Sequence, residues 1–155
     1  YTTGGFSISV TDYWFNGGPG YFHYGSHNTN HTFEAQIGYD FGPLALNWYT
    51  NFAGTDGVNN EGDRAYSSYI SATVPFTLAG LEWTAEIGAT PWATDFYNYS
   101  EDPVCNGSNG FAVCDISLGA AKEIRITDSF SVPAFAKVTV NPRTEGAYFV
   151  FGLSF

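Results

Sequence analysis

The chain has 155 residues, 5 Lys+Arg against 15 Asp+Glu, a net charge of −10 and 19% aromatic residues. That balance excludes a nucleic-acid binder, whose phosphates require Lys and Arg, and the aromatic content excludes a disordered chain. Charged residues make up 13%, about half of the roughly 25% of an ordinary soluble domain, so a conventional cytosolic globule is not expected.

Taken in chain order, the sequence alternates apolar and polar residues with a period of two, the signature of half-buried strands. The first candidate strand, 6–15, alternates Phe6, Ile8 and Val10 with Ser7, Ser9 and Thr11. The second, 31–41, alternates Phe33, Ala35, Ile37 and Tyr39 with Glu34, Gln36 and Gly38. The third and fourth, 44–52 and 64–76, carry Leu44, Leu46 and Trp48, then Ile70, Ala72, Val74 and Phe76. The fifth, 81–92, carries Leu81, Trp83, Ala85 and Ile87. The sixth, seventh and eighth, 113–126, 130–140 and 147–155, carry Ile116 and Leu118, then Val132 and Val138, then Phe149, Phe151, Leu153 and Phe155. No segment has a helical period, and no stretch reaches the roughly 20 apolar residues of a transmembrane helix.

The connections alternate in length. Residues 16–30, 53–63 and 93–112 form long loops. Short turns surround Gly42-Pro43, Thr77–Gly80 and Thr127–Ser129, and a moderate loop covers 141–146. Long loops at one end and tight turns at the other are the layout of outer-membrane barrels. The fold expected is therefore all-β, an antiparallel up-and-down transmembrane β-barrel with about eight strands in one domain, 1–155.

Aromatic residues fall at strand ends, Trp14, Phe15, Phe52 and Trp92 at one level and Phe41, Phe76, Phe130 and Phe155 at the other. Such girdles belong at membrane interfaces. Two charges break the apolar parity. Lys122 is expected to snorkel at the short-turn end, and Asp12 is expected to mark a bulge or a register change.

The opposite parity carries Glu34, Asp40, Glu82, Glu86, Asp115, Glu123, Arg125 and Lys137. These are the candidate lumen-facing residues. They fit either a cation-favouring lumen or an interior filled by salt bridges and hydrogen bonds, since an eight-stranded interior holds little more than side chains. Cys105 and Cys114 flank a polar, glycine-containing loop, and an exported chain is expected to join them as a disulfide. The oxygen-rich run Asp56–Asp63 lacks the EF-hand spacing and reads as a solvated loop. His23, His27 and His31 recur at intervals of four within a loop that holds Gly25, so a metal site is not expected. The aromatic run Tyr21–Tyr24 fits packing on a barrel rim better than stacking on a sugar. Glu82 and Glu86 lie two pleat steps apart, but without a cleft they do not make a glycosidase pair. No nucleophile elbow or phosphate loop is present, and neither enzymatic activity nor a cofactor is expected.

The last strand alternates aromatics and ends Phe149, Phe151, Leu153, Phe155. It resembles the assembly signal of outer-membrane barrels, which implies the barrel-assembly machinery and membrane lipids as partners and the bacterial outer membrane as location. GGFSISVTDYWF, HTFEAQIGYDFGPLALNWYTNFAG, GDRAYSSYISATVPF, CDISLGAAKEIRITDSFSVPAFAKV and NPRTEGAYFVFGLSF together resemble the TorF-type family of porin-like outer-membrane proteins. That resemblance implies a barrel and a passive channel for small solutes. The alternative is a non-conducting structural or adhesive barrel, or a subunit of a larger envelope complex. Members of that family carry further strands before the segment resembling Gly4-Gly5-Phe6, and the chain does not begin with Met. A C-terminal part of a larger barrel is therefore also open.

Overall fold

A computed structural model describes residues 1–15, 17–18, 20–25 and 28–153 of the protein. The described residues form one antiparallel sheet with the strands in sequential order. These are β1 (Thr2–Thr3), β2 (Phe6–Trp14), β3 (His31–Asp40), β4 (Ala45–Gly54), β5 (Ser68–Leu78), β6 (Leu81–Thr90), β7 (Ala112–Thr127), β8 (Phe130–Asn141) and β9 (Gly146–Leu153). No helix occurs among them.

Eight of these strands coincide with the eight expected. The ninth is β1, a stub joined to β2 through Gly4-Gly5, both at positive φ. Gly-Gly between extended residues is a hairpin signal, and its ladder here pairs Thr3 with Phe6 and Thr2 with Ser7. Tyr1 extends it, exchanging backbone hydrogen bonds of 2.8 and 2.9 Å with Ile8. The fourth expected strand begins later than its alternation suggested, at Ser68 rather than 64. Tyr66 takes a positive φ of 47°, and Arg64 bridges back to Val58 instead of joining the sheet.

Each tight turn has a local cause. Leu78 pairs with Leu81, so Ala79 and Gly80 make a two-residue turn, with φ of 54° and 73°. Two positive φ values are what a right-twisted hairpin demands. At the next short turn, the Asp40 carboxylate accepts the Gly42 amide at 2.7 Å, while the Phe41 amide donates to Leu44. Between β8 and β9 the Asn141 side chain accepts the amides of Arg143 and Thr144, which closes a four-residue turn.

Three irregularities interrupt the ladders, at Phe33/Glu34, Gly88/Ala89 and Arg125/Thr127. None involves Asp12, which pairs in register with Phe33. The bulge expected at Asp12 is therefore absent, and its charge is answered in another way described below.

The ladder is not closed. No pairing joins β9 to β1 or β2 among the described residues. The sheet is nonetheless curled. On a flat sheet β2 and β8 would stand about 29 Å apart, six spacings of about 4.8 Å. Yet Phe96, in the loop after β6, meets Phe15 beyond β2 with ring centroids 6.4 Å apart. Asn98, two residues on, accepts a 3.2 Å hydrogen bond from Asn141 at the end of β8. One short stretch of loop thus touches both flanks, which requires the sheet to bend around it.

Burial is the reverse of a water-soluble core. Ile8, Val10, Ile37, Leu46, Trp48, Ile87, Ile116, Leu118 and Val138 are exposed, and Phe151 is 76% exposed. The buried apolar residues among those described are Ala65, Ala89, Cys114 and Val132. Buried polar residues are more numerous: His31, Thr32, Asn51, Ser67, Ser68, Ser71, Thr90, Thr94, Ser108 and Ser117.

Candidate functional site

The polar parity forms the inner side of the curl, and its best-defined part lies at the long-loop end. Tyr13 of β2, Glu34 of β3, Tyr49 of β4, Tyr69 of β5 and Glu86 of β6 share this parity across neighbouring strands. The Tyr13 hydroxyl donates to Glu34 at 3.3 Å, and the Tyr69 hydroxyl donates to Glu86 at 3.3 Å. Tyr49 and Tyr69 have ring centroids 6.1 Å apart, and Tyr69 and Tyr97 6.2 Å. Tyr97 comes from the loop after β6 and lies beside the Glu34 carboxylate. Burial, followed by the charges of Glu34 and Asp56, pushes the Tyr97 phenol far above its ordinary range, so it is a neutral donor at any physiological pH.

Gly88 makes room for this cluster. A Cβ at that position would sit 1.9 Å from the Tyr69 hydroxyl. The missing side chain lets the Tyr69 ring lie flat against β6, where its hydroxyl meets Glu86.

A cap of loop residues covers the cluster. The Ser67 and Thr94 hydroxyls bond at 2.6 Å, Thr90 donates to Ser108 at 2.9 Å, and Asn98 donates to Ser108 at 2.6 Å. Asp95 accepts the Val58 amide, and Trp92 donates to the Ala65 carbonyl. Arg143 binds the carbonyls of Gly107, Val104 and Asn106. The long loop is thereby stitched to the preceding long loop and to the β8–β9 turn. Buried hydroxyls and amides tolerate this position because they satisfy one another.

The candidate lumen residues separate into two groups. Glu34, Glu86, Asp115 and Lys137 are half-buried. Asp115 bonds to Ser117, which also meets Thr139. Asp40, Glu82, Glu123 and Arg125, towards the short turns, are exposed. Glu123 accepts from Ser131 at 2.7 Å, and Arg125 pairs with Asp128 in the turn. Among the described residues no ion pair joins two of the eight candidates. Glu34, Glu86, Asp115 and Glu123 are held by hydroxyls, not by bases, while Asp40 accepts the Gly42 amide of its turn.

Cys105 and Cys114 are both free thiols, which overturns the expected disulfide. Cys114 is the extra residue of the bulge opposite Gly88 and Ala89 and is buried in the sheet. Cys105 sits in the loop, where Arg143 holds the carbonyls of both of its neighbours, Val104 and Asn106. Each cysteine is fixed by its own surroundings. Spacing along the chain carries no information about that.

The remaining motifs resolve into local structure. Asp56 is 1% exposed at its side chain, lies 3.6 Å from Arg64, and accepts from Asn51 and Ser67. Asn59 accepts the amides of Glu61 and Asp63. Among the described residues no cluster of His, Cys, Asp and Glu suits a metal ion. Tyr21 meets Trp14 edge-on at 5.9 Å and Tyr24 stacks on His31 at 4.1 Å, so these two tyrosines pack against the ends of β2 and β3, while Phe22 between them is exposed. His27 and Phe155 lie outside the described residues, while Phe149 and Phe151 stand exposed on β9.

The sequence reading missed Tyr97, Arg143 and the cap. Their signal was present only as a long loop rich in Asn, Ser and Asp. The partners of such residues depend on the curl of the sheet. Comparison with protein-family models, curated proteins and solved structures finds no match to this chain.

Proposed function

We propose that the chain is a transmembrane β-barrel of the bacterial outer membrane, acting as a porin-like passive channel for small solutes with a preference for cations. The observation that carries this reading is the inverted burial. An apolar outer parity exposed along every long strand suits lipid, and a polar parity buried towards the long-loop end suits the interior of a barrel. A sheet with free edges cannot stand in hydrocarbon, so the reading requires β2 and β9 to be joined, directly or through further strands. The eight long strands leave β2 and β9 antiparallel, as an even-numbered barrel demands. The resemblance to TorF-type porins supports the same class. Cation preference follows from Glu34 and Glu86, which face the interior with hydroxyl partners and, among the described residues, no neutralising base.

The test is conductance in a planar bilayer under a salt gradient. Folded, intact protein should give cation-selective channels, and Glu34→Gln should move the reversal potential towards zero. Folded protein that never conducts would sink the channel reading.

One observation favours a second reading, a non-conducting structural barrel or a subunit of an envelope complex. The loop after β6 spans the polar face from Phe15 to Asn141 and brings Tyr97 beside Glu34. If that cap blocks passage, wild-type protein should be silent and Tyr97→Ala should open measurable conductance.

A further inference from the structure

Asp12 of β2 and His31 of β3 stand on the apolar parity at the long-loop end, diagonal to one another in the ladder. The His31 side chain is 0% exposed. Its Nδ1 lies 2.8 and 3.0 Å from the two Asp12 carboxylate oxygens, and its Nε2 lies 2.5 Å from the Tyr21 carbonyl oxygen. Tyr24 covers the ring at 4.1 Å, Tyr21 meets it edge-on at 5.2 Å, and Phe33 lies beside it at 6.1 Å.

The proton count of this arrangement is fixed by its partners. An ionised carboxylate and a backbone carbonyl only accept hydrogen bonds. Two such contacts need two N–H groups, and a neutral imidazole has one. The closed arrangement therefore holds one proton more than an ionised Asp12 beside a neutral His31. Placing that proton formally on Asp12 leaves the count unchanged.

We propose that His31 is a proton-dependent latch that fastens residues 20–25 of the first long loop to the barrel rim and releases them as pH rises. Loss of the proton to solvent leaves an imidazole lone pair facing either the Tyr21 carbonyl or the Asp12 carboxylate. The His31 ring itself is 0% exposed, so its bare nitrogen, set against an acceptor oxygen, can take no replacement bond from water while the loop stays down, although the Asp12 side chain, 31% exposed, keeps its own access to water. An unsatisfied buried polar group is costly, and lifting the loop relieves it. The titratable groups facing His31 are Asp12 from β2 and Tyr21 and Tyr24 from the loop. From the β4 side it meets backbone, its carbonyl accepting the Thr55 amide. Opening uncovers the rings of Trp14 and Phe33. This inference does not depend on whether the lumen conducts.

The test is imidazole nitrogen NMR of the intact chain in detergent micelles across pH 5–10, with backbone amide signals followed in parallel. Both His31 nitrogens should be protonated while the amides of 20–25 hold their docked positions. The two sets of signals should change together. Asp12→Asn removes the counter-charge and should move that joint transition to lower pH by roughly 1–3 units, the usual effect of a charge at this distance. A single neutral tautomer of His31 in the docked state would overturn the proposal. So would loop amides that ignore the His31 titration. Should Asp12→Asn fail to fold, the wild-type titration alone decides.

Discussion

Gly88 shows how one absent atom sets the chemistry of the polar face. Its missing Cβ is the space that the Tyr69 ring fills, and that ring delivers a hydroxyl to Glu86. Gly88→Val should displace Tyr69 and destabilise the fold by about 1–3 kcal/mol, the usual cost of overpacking. Urea unfolding in micelles measures it. That Glu34 and Glu86 share the polar parity was legible in the sequence from alternation alone. Their partners Tyr13 and Tyr69 were not, because a cross-strand neighbour depends on register, which alternation does not specify. The cysteine expectation failed for a related reason. Nine positions of chain say nothing about a bulge that sets Cys114 into the sheet. Asp12 misled in the opposite sense. A charge on an apolar face suggested a defect in the ladder, and its explanation was a histidine from the next strand.

At the level of elements, the period-two pattern located the eight long strands because each sets an apolar face against a polar one. The stub β1 escaped because two residues cannot display a period. The start of β5 escaped because a positive φ at Tyr66 breaks the strand without a Gly or Pro to announce it. The β5–β6 hairpin offers a direct test of turn chemistry. Ala79 occupies a left-handed conformation that L-residues adopt at a cost of about 1 kcal/mol. Ala79→Asn would create the Asn-Gly pair that such turns prefer. It should raise the denaturation midpoint, with a gain of about 0.5–1 kcal/mol. The last strand carries a different prediction. Phe155→Ala should lower the fraction of protein inserted into the outer membrane, measured by heat-modifiable migration, if the terminal aromatic pattern acts as the assembly signal.

Across the whole molecule, the two faces predict opposite tolerance to charge. Arg at Leu118, exposed on the apolar parity, should cost about 2–4 kcal/mol in a bilayer. Arg at Thr84, exposed on the polar parity, should change stability by less than about 0.5 kcal/mol. Its neighbour in parity Ser117 is no such neutral site, being buried and bonded to Asp115 and Thr139. Equal costs at Leu118 and Thr84 in vesicles would reject the assignment of the faces. The sequential strand order has a consequence for how such a molecule changes size. Each strand touches only its neighbours in sequence, so stability is largely a chain of adjacent interfaces, as in repeat proteins. Removing or duplicating one hairpin leaves every other interface in place and keeps the inside–outside parity unbroken. The hairpin, more than the sheet, is then the unit by which this architecture can be lengthened or shortened.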